Sequence, residues 1–191
     1  MRKDDKIADN VIEIRVSEIA QLFHTLDPYP FREKDLDREA EEYIVGWARE
    51  LPRNRPFRII VHFPDDEAQT GLARELQEAF SRYFAGRATA TQGDLKELLW
   101  IGRRSLAIGL AILIGCLFSA HLVAGYLVEA PLQRMAEESF LILGWVANWR
   151  PLEIFLYDWW PLARRRDLFR RLSTATLERR PYPAGSTRTA G

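Results

Sequence analysis

SLAIGLAILIGCLFSAHLVAGYLV, residues 105–128, runs for 24 residues without a formal charge. His121 is the one side chain in it that titrates near neutral pH. About 20 apolar residues rising ~1.5 Å each cross roughly 30 Å of hydrocarbon, so this stretch is long enough to span a bilayer. A second run, residues 139–162 (SFLILGWVANWRPLEIFLYDWWPL), carries Arg150, Glu153 and Asp158, and its uncharged part, 139–149, is only 11 residues long. If it spans, Arg150 and Glu153 lie within the membrane. Together the two runs read as a two-helix transmembrane hairpin: helix 1 at 105–128, an extracytoplasmic turn at 129–138, and helix 2 at 139–162, kinked at Pro151.

The rest of the chain reads as a cytosolic α+β domain at 1–92, a helical connector at 93–104 and a basic cytosolic tail at 163–191 whose end is disordered. The whole is mostly α. Net charge is zero, but it divides unevenly. Residues 1–97 carry 15 basic and 20 acidic side chains, whereas 164–191 carry 8 and 2. An overall basic field for nucleic acid is therefore absent, and the positive patch follows the apolar segment directly. Arg103 and Arg104 precede the first run and Arg164, Arg165 and Arg166 follow the second, which by the retention of Lys and Arg places both termini in the cytoplasm. No apolar core follows MRKDDKIADN, so no cleavable signal is expected. Cys116 is the sole cysteine, which excludes an intrachain disulfide and a cysteine zinc site.

Along the domain, VIEIRV (11–16) and FRIIVHF (57–63) alternate apolar and polar residues with the period of a half-buried strand. Ser17 is placed to cap a short helix that closes before Asp27-Pro28. Asp35 or Asp37 caps a second helix reaching about Leu51, with Leu36, Ala40, Ile44, Trp47 and Leu51 on one face. Asp65 or Asp66 caps a third, with Leu72, Leu76, Phe80 and Phe84 as its stripe. The order is β-α-α-β-α around a small two-stranded sheet, and the long connection between the strands favours parallel pairing. The run AGRATATQG (85–93) reads as a hinge or as a weak patch within one helix.

Several residues invite a functional reading. Ala107, Ala111, Gly115 and Ser119 fall at successive i+4 positions, a small-residue ridge for packing within the hairpin or against another chain. Arg150 and Glu153 can pair at i,i+3, and with Asp158 and His121 they are the polar residues of the apolar region. Counted from the turn, Arg150 lies opposite Gly115 and Cys116. The cluster reads either as an ion, proton or anion site, or as a locally paired charge where the helix bends into the interface. Tyr157, Trp159 and Trp160 mark an aromatic belt. Arg103, Arg104, Arg164, Arg165, Arg166, Arg170 and Arg171 are placed for anionic lipid headgroups, and the tail arginines also for docking on Asp35, Asp37, Glu39, Glu41 and Glu42. Neither His24 nor His62 has metal-site spacing, and no nucleotide-binding, nucleophile-elbow or zincin pattern occurs, so no cofactor or metal is expected.

Two stretches, LFHTLDPYPFREKDLDREAEEYIVGWARELP (22–52) and GWVANWRPLEIFLYDWWPLARRR (144–166), resemble a family of small bacterial two-span inner-membrane proteins. The resemblance extends to about Arg171 and implies a bacterial plasma-membrane location; it brings no activity, ligand or catalytic residue. The expectation is a membrane-anchored interaction or scaffold protein, or an accessory subunit, in a homo-oligomer or with another membrane protein. An oligomeric transport component is the alternative, and an unusual membrane enzyme the third reading.

Overall fold

The two alternating runs become neighbouring strands. β1 (Val11–Arg15) and β2 (Arg58–Pro64) pair in parallel, with Ile12 beside Ile59 and Ile14 beside Val61. The computed structural model describes residues 10–23, 35–52, 55–65, 67–126 and 130–182. The crossover between the strands is α1 (Arg38–Glu50), started by Asp37, whose Oδ1 accepts from the backbone N–H of Glu39 at 2.9 Å. That bond satisfies one of the orphan donors of the first turn. The helix expected from Ser17 is shortened to a 3₁₀ turn, Ile19–Leu22, which buries Ile19 and Leu22; the Asp27-Pro28 turn lies outside the described residues.

After β2 comes α2 (Glu67–Tyr126), a continuous helix of 60 residues. Then follow α3 (Ala130–Ala147), α4 (Trp149–Glu153), a π-helical turn (Ile154–Asp158) and α5 (Trp159–Ser173). The chain closes on β3 (Thr176–Tyr182), parallel to β2, with Ile59 beside Leu177 and Val61 beside Arg179. Among the described residues the sheet has three strands, in the order β1-β2-β3.

The chain forms two units, residues 1–90 with 165–191, and residues 91–164. In the sheet unit, Ile12, Ile59, Val61 and Phe63 make one sheet face. They pack with Ile44 and Ala48 of α1, Leu76, Phe80 and Phe84 of α2, and Phe169 and Leu172 of α5. Burying each such side chain contributes about 1.5–3 kcal/mol, which makes this cluster the main source of the unit's stability. Polar ties then fix the helices. Glu41 of α1 accepts from the Tyr83 hydroxyl at 2.8 Å and from Arg87 Nη2 at 3.0 Å, both on α2. Ser81 of α2 donates to the carbonyl of Ser173 at the end of α5.

Burial of Tyr83, and next its hydrogen bond to the Glu41 carboxylate, push the phenol above its ordinary 10.0. Tyr83 belongs to the sheet unit, well ahead of the apolar run that begins at Ser105. A folded value above the unfolded one gives stability that is complete below the unfolded pKa and is lost as pH rises through the folded one. The melting temperature of wild type should therefore fall with pH above about 10, and fall less steeply in Tyr83→Phe. Parallel declines in the two proteins would assign the loss to another group.

Two expectations are corrected. Among the described residues the sheet is three-stranded rather than two-stranded, because the segment read as a basic tail with a disordered end supplies most of α5 and all of β3. The tail's last residues, 183–191, lie outside the described residues. The two-helix transmembrane hairpin is overturned as well: among the described residues one helix, α2, is long and apolar enough to cross a membrane. The second run fails for a physical reason. α3 is 18 residues long, carries Arg134, Glu137 and Glu138 in its first half, and stops at Asn148. Pro151 has no N–H and its ring crowds the carbonyl four residues back, so the break falls at Asn148 rather than at the proline. Of the two readings of 85–93, the stretch within one helix is the one that holds, and 93–104 continues it helically as part of α2.

Candidate functional site

Within the helical unit, α3 and α4 lie back along α2 through small residues. A Cβ at Gly109 would meet Asn148 Oδ1 at 2.7 Å and the Ala147 carbonyl oxygen at 2.9 Å, so only glycine permits this approach. A Cβ at Gly144 would likewise meet Leu113 at 2.5 Å. Asn148 secures the joint by donating both Nδ2 hydrogens, to the Gly109 carbonyl at 3.0 Å and the Gly144 carbonyl at 2.9 Å. Interhelical polar bonds of this kind hold helices together where no hydrophobic force does.

Along residues 102–120 of α2 the buried positions are Gly102, Gly109 and Cys116, spaced by seven, together with Ala120. The ridge expected at Ala107, Ala111 and Gly115 points outward, and Ser119 is half-buried. A four-residue repeat slides off a packed face after a few turns, whereas a seven-residue repeat stays on it.

Arg150, Glu153 and Asp158 come together. Arg150 Nη1 lies 3.1 Å from Glu153 Oε2 and 3.1 Å from Asp158 Oδ2, and Trp149 Nε1 donates to Glu153 Oε1 at 2.9 Å. The Arg150–Glu153 pair follows from spacing; Asp158 does not. In an α-helix, eight residues overshoot two turns by about 80°. The π turn at Ile154–Asp158 is wider, rotates less per residue, and brings Asp158 back over Arg150. π turns are recurrent at functional positions.

The register also moves this cluster. Asn148 sits against Gly109 and Ile154 against Gly102, so Arg150 lies between those levels. It was expected opposite Gly115 and Cys116, but Gly144 takes that place, packed on Leu113 and Cys116. Arg150 is therefore about 6 Å along the axis from Arg103. His121 is exposed near the far end of α2.

Elsewhere in the helical unit, basic and aromatic side chains stack. Arg104 lies over Trp100 at 5.7 Å and Arg164 over Trp160 at 4.7 Å, while Arg103 Nε donates to the Leu99 carbonyl at 3.4 Å. The remaining arginines belong to the sheet unit. Arg165 lies over Phe169 at 5.4 Å, Arg166 pairs with Asp167 at 2.7 Å, and Arg170 is exposed on α5. Arg171 is engaged within the sheet unit. Its guanidinium covers Phe57 at 4.1 Å and donates to the carbonyls of Pro52 and Arg55 at 2.9 and 3.0 Å. The tail thus docks on the sheet unit through backbone carbonyls; Glu41, one of the carboxylates proposed for it, is held by Tyr83 and Arg87.

Away from these helices, a cleft of about 670 Å³ opens at the carboxyl ends of β1 and β2, beside the first turns of α1. His62, read from sequence as isolated, lines it with Tyr43 and Asp37. No local spacing predicts this cleft, since its walls meet only through the parallel pairing.

Comparison with family models, with curated proteins and with solved structures finds no match to the chain.

Proposed function

We propose that this chain is a membrane-anchored interaction protein, whose helical unit seats in lipid while its sheet unit presents a binding surface at the membrane. One observation carries the reading. An 18-residue window of α2 has a mean hydropathy of 2.4, yet only 17% of it is buried within the chain. A soluble protein's core helix of that composition would be covered by its own fold; here Ile108, Leu110, Ile112, Ile114 and Phe118 face outward. Arg103, Arg104 and Arg164 with Trp100 and Trp160 then form the interfacial layer, contacting anionic headgroups. The excess of arginine beside the apolar helix favours the cytoplasmic side of a bacterial plasma membrane for the sheet unit. The scaffold acts as a homo-oligomer or as the accessory subunit of another membrane protein. A transport role for Arg150, Glu153 and Asp158 is less favoured, because the cluster pairs internally.

The test is Ile114→Arg, at a side chain 59% exposed. In lipid, an arginine at a helix centre costs about 2.5–3.5 kcal/mol of insertion, and the variant should leave the carbonate-resistant membrane fraction or be degraded. In water the same exposed change is close to neutral, so a variant that accumulates normally in the soluble fraction would overturn the anchoring. The native mass of gently extracted wild type, with its co-purifying chains identified, tests the interaction role. A homo-oligomer or a stoichiometric second protein supports it, and a bare monomer overturns it.

A further inference from the structure

The turn that follows α4 has two registers within reach, and one arginine tells them apart. Residues 149–164 all lie in the helical unit. Arg150 is held at its base: Glu153 Oε2 lies 3.1 Å from its guanidinium, and Trp149 Nε1 fixes Glu153 in turn at 2.9 Å. Both contacts are inside α4, and the seating of Asn148 on Gly109 precedes them. They are therefore the same whatever the helix does next. What faces the guanidinium from the following turns is not.

In an unbroken α-helix the residue two turns on is Tyr157, within about 20° of Arg150, and Asp158 stands about 80° to the side. The π turn at Ile154–Asp158 takes in one more residue, so the chain beyond it lags by about 100°. Asp158 Oδ2 thereby comes to 3.1 Å from Arg150, and Tyr157 is turned outward, 70% exposed.

Amides in a π turn reach back five residues instead of four, so its carbonyls lose their α partners. Two contacts offset that loss. The Phe155 carbonyl accepts the Trp159 indole N–H at 2.9 Å, and the bridge to Asp158 is an ion pair that the α register lacks. The α register has its own compensation, because a guanidinium stacks well on a tyrosine ring. Arg150 thus has one of two neighbouring residues as its partner, and the length of one turn decides which. The bridge is partly exposed, so its removal tips a balance rather than unfolding the helix.

We propose that residues 154–158 form a two-register joint, set in its π register by the bridge from Arg150 to Asp158. Loss of the charge on Asp158 returns the turn to the α register, with Tyr157 over Arg150. That change turns Trp159, Trp160 and Arg164 by about 100° around the helix axis relative to α4. One carboxylate thus governs which way an aromatic and basic face points. The proposal does not rest on the membrane reading.

The experiment is electron paramagnetic resonance of the full chain in detergent micelles. It carries Cys116→Ala, Leu152→Cys and Trp160→Cys, with nitroxide labels at the last two positions, both exposed. In the π register the labels share one side of the helix, about 12 Å apart along the axis; in the α register they stand about 80° apart and farther from each other. The otherwise unsubstituted chain should show strong dipolar broadening. Asp158→Asn and Arg150→Gln, two removals of one bridge, should each lose at least about half of it, with helicity unchanged by circular dichroism. Asp158→Glu keeps the charge and should keep the broadening. Weak broadening at the outset, or full broadening in Asp158→Asn or Arg150→Gln, would overturn the proposal. So would an equal loss in Asp158→Glu, or a loss that comes with loss of helicity.

Discussion

Removing residues 176–191, and with them β3, should abolish the cooperative unfolding of the sheet unit. β2 is the central strand, with Ile59, Ile60, Val61 and Phe63 all buried, and seven of its residues are in register with β3. Without β3, two strands remain, a sheet that is marginal by itself. The bond from Thr176 N–H to the Phe57 carbonyl and the bond from Asp65 N–H to the Tyr182 carbonyl would go, at 3.1 and 2.8 Å, as would Tyr182 Oη to the Val16 carbonyl at 3.2 Å. Each net bond contributes about 0.5–1.5 kcal/mol, and a domain of this size has only about 5–15 kcal/mol in all. A ladder is thus comparable with the whole margin. The measurement is thermal unfolding followed by circular dichroism, beside a chain lacking only 183–191. A shortened protein that still melts in one sharp transition near the wild-type temperature would show that β3 is dispensable.

Phe84→Ala should destabilise the sheet unit by about 3–5 kcal/mol, the range for a fully buried phenylalanine. Its side chain is 0% exposed. Its ring centroid lies 4.7 Å from that of Phe80, 5.2 Å from Tyr83 and 5.9 Å from Phe169, so it joins α2 to α5. The cavity left between two helices and the sheet could collapse only by moving one of them. Urea unfolding would measure the loss; a value below about 1 kcal/mol would mean that this aromatic cluster does not hold the unit together.

The parts of the fold that declared themselves in sequence are those with a period. Ile12 and Ile14, and Ile59, Val61 and Phe63, alternate because one sheet face is covered; Leu76, Phe80 and Phe84 repeat at helical spacing because one helix face is. Asp37 stood where a cap was needed. β3 was invisible for the complementary reason. TLERRPY is an edge strand whose residues are all exposed or half-exposed, Leu177 alone reaches the core, and Pro181 argues against a strand. The usable signal was indirect: two parallel strands need a third, and only the tail was left to supply it. Asp158's place beside Arg150 depends on a π turn that no residue pattern announces, and the cleft depends on which strand lies beside which.

β3 also has its own edge closed. Gln77 of α2 accepts from Leu177 N–H at 2.8 Å and donates to the Ala175 carbonyl at 3.1 Å, and Pro181 has no N–H to offer. A neighbouring chain therefore finds little to pair with there.

The strand that completes the sheet is the last one made. β2 leaves the ribosome more than a hundred residues before its partner Leu177, which at ~5–20 residues per second is a wait on the order of ten seconds. Throughout that interval β2 has β1 on one side and an open edge on the other, so a chain that fails to bring β3 back presents that edge to the cell's quality control.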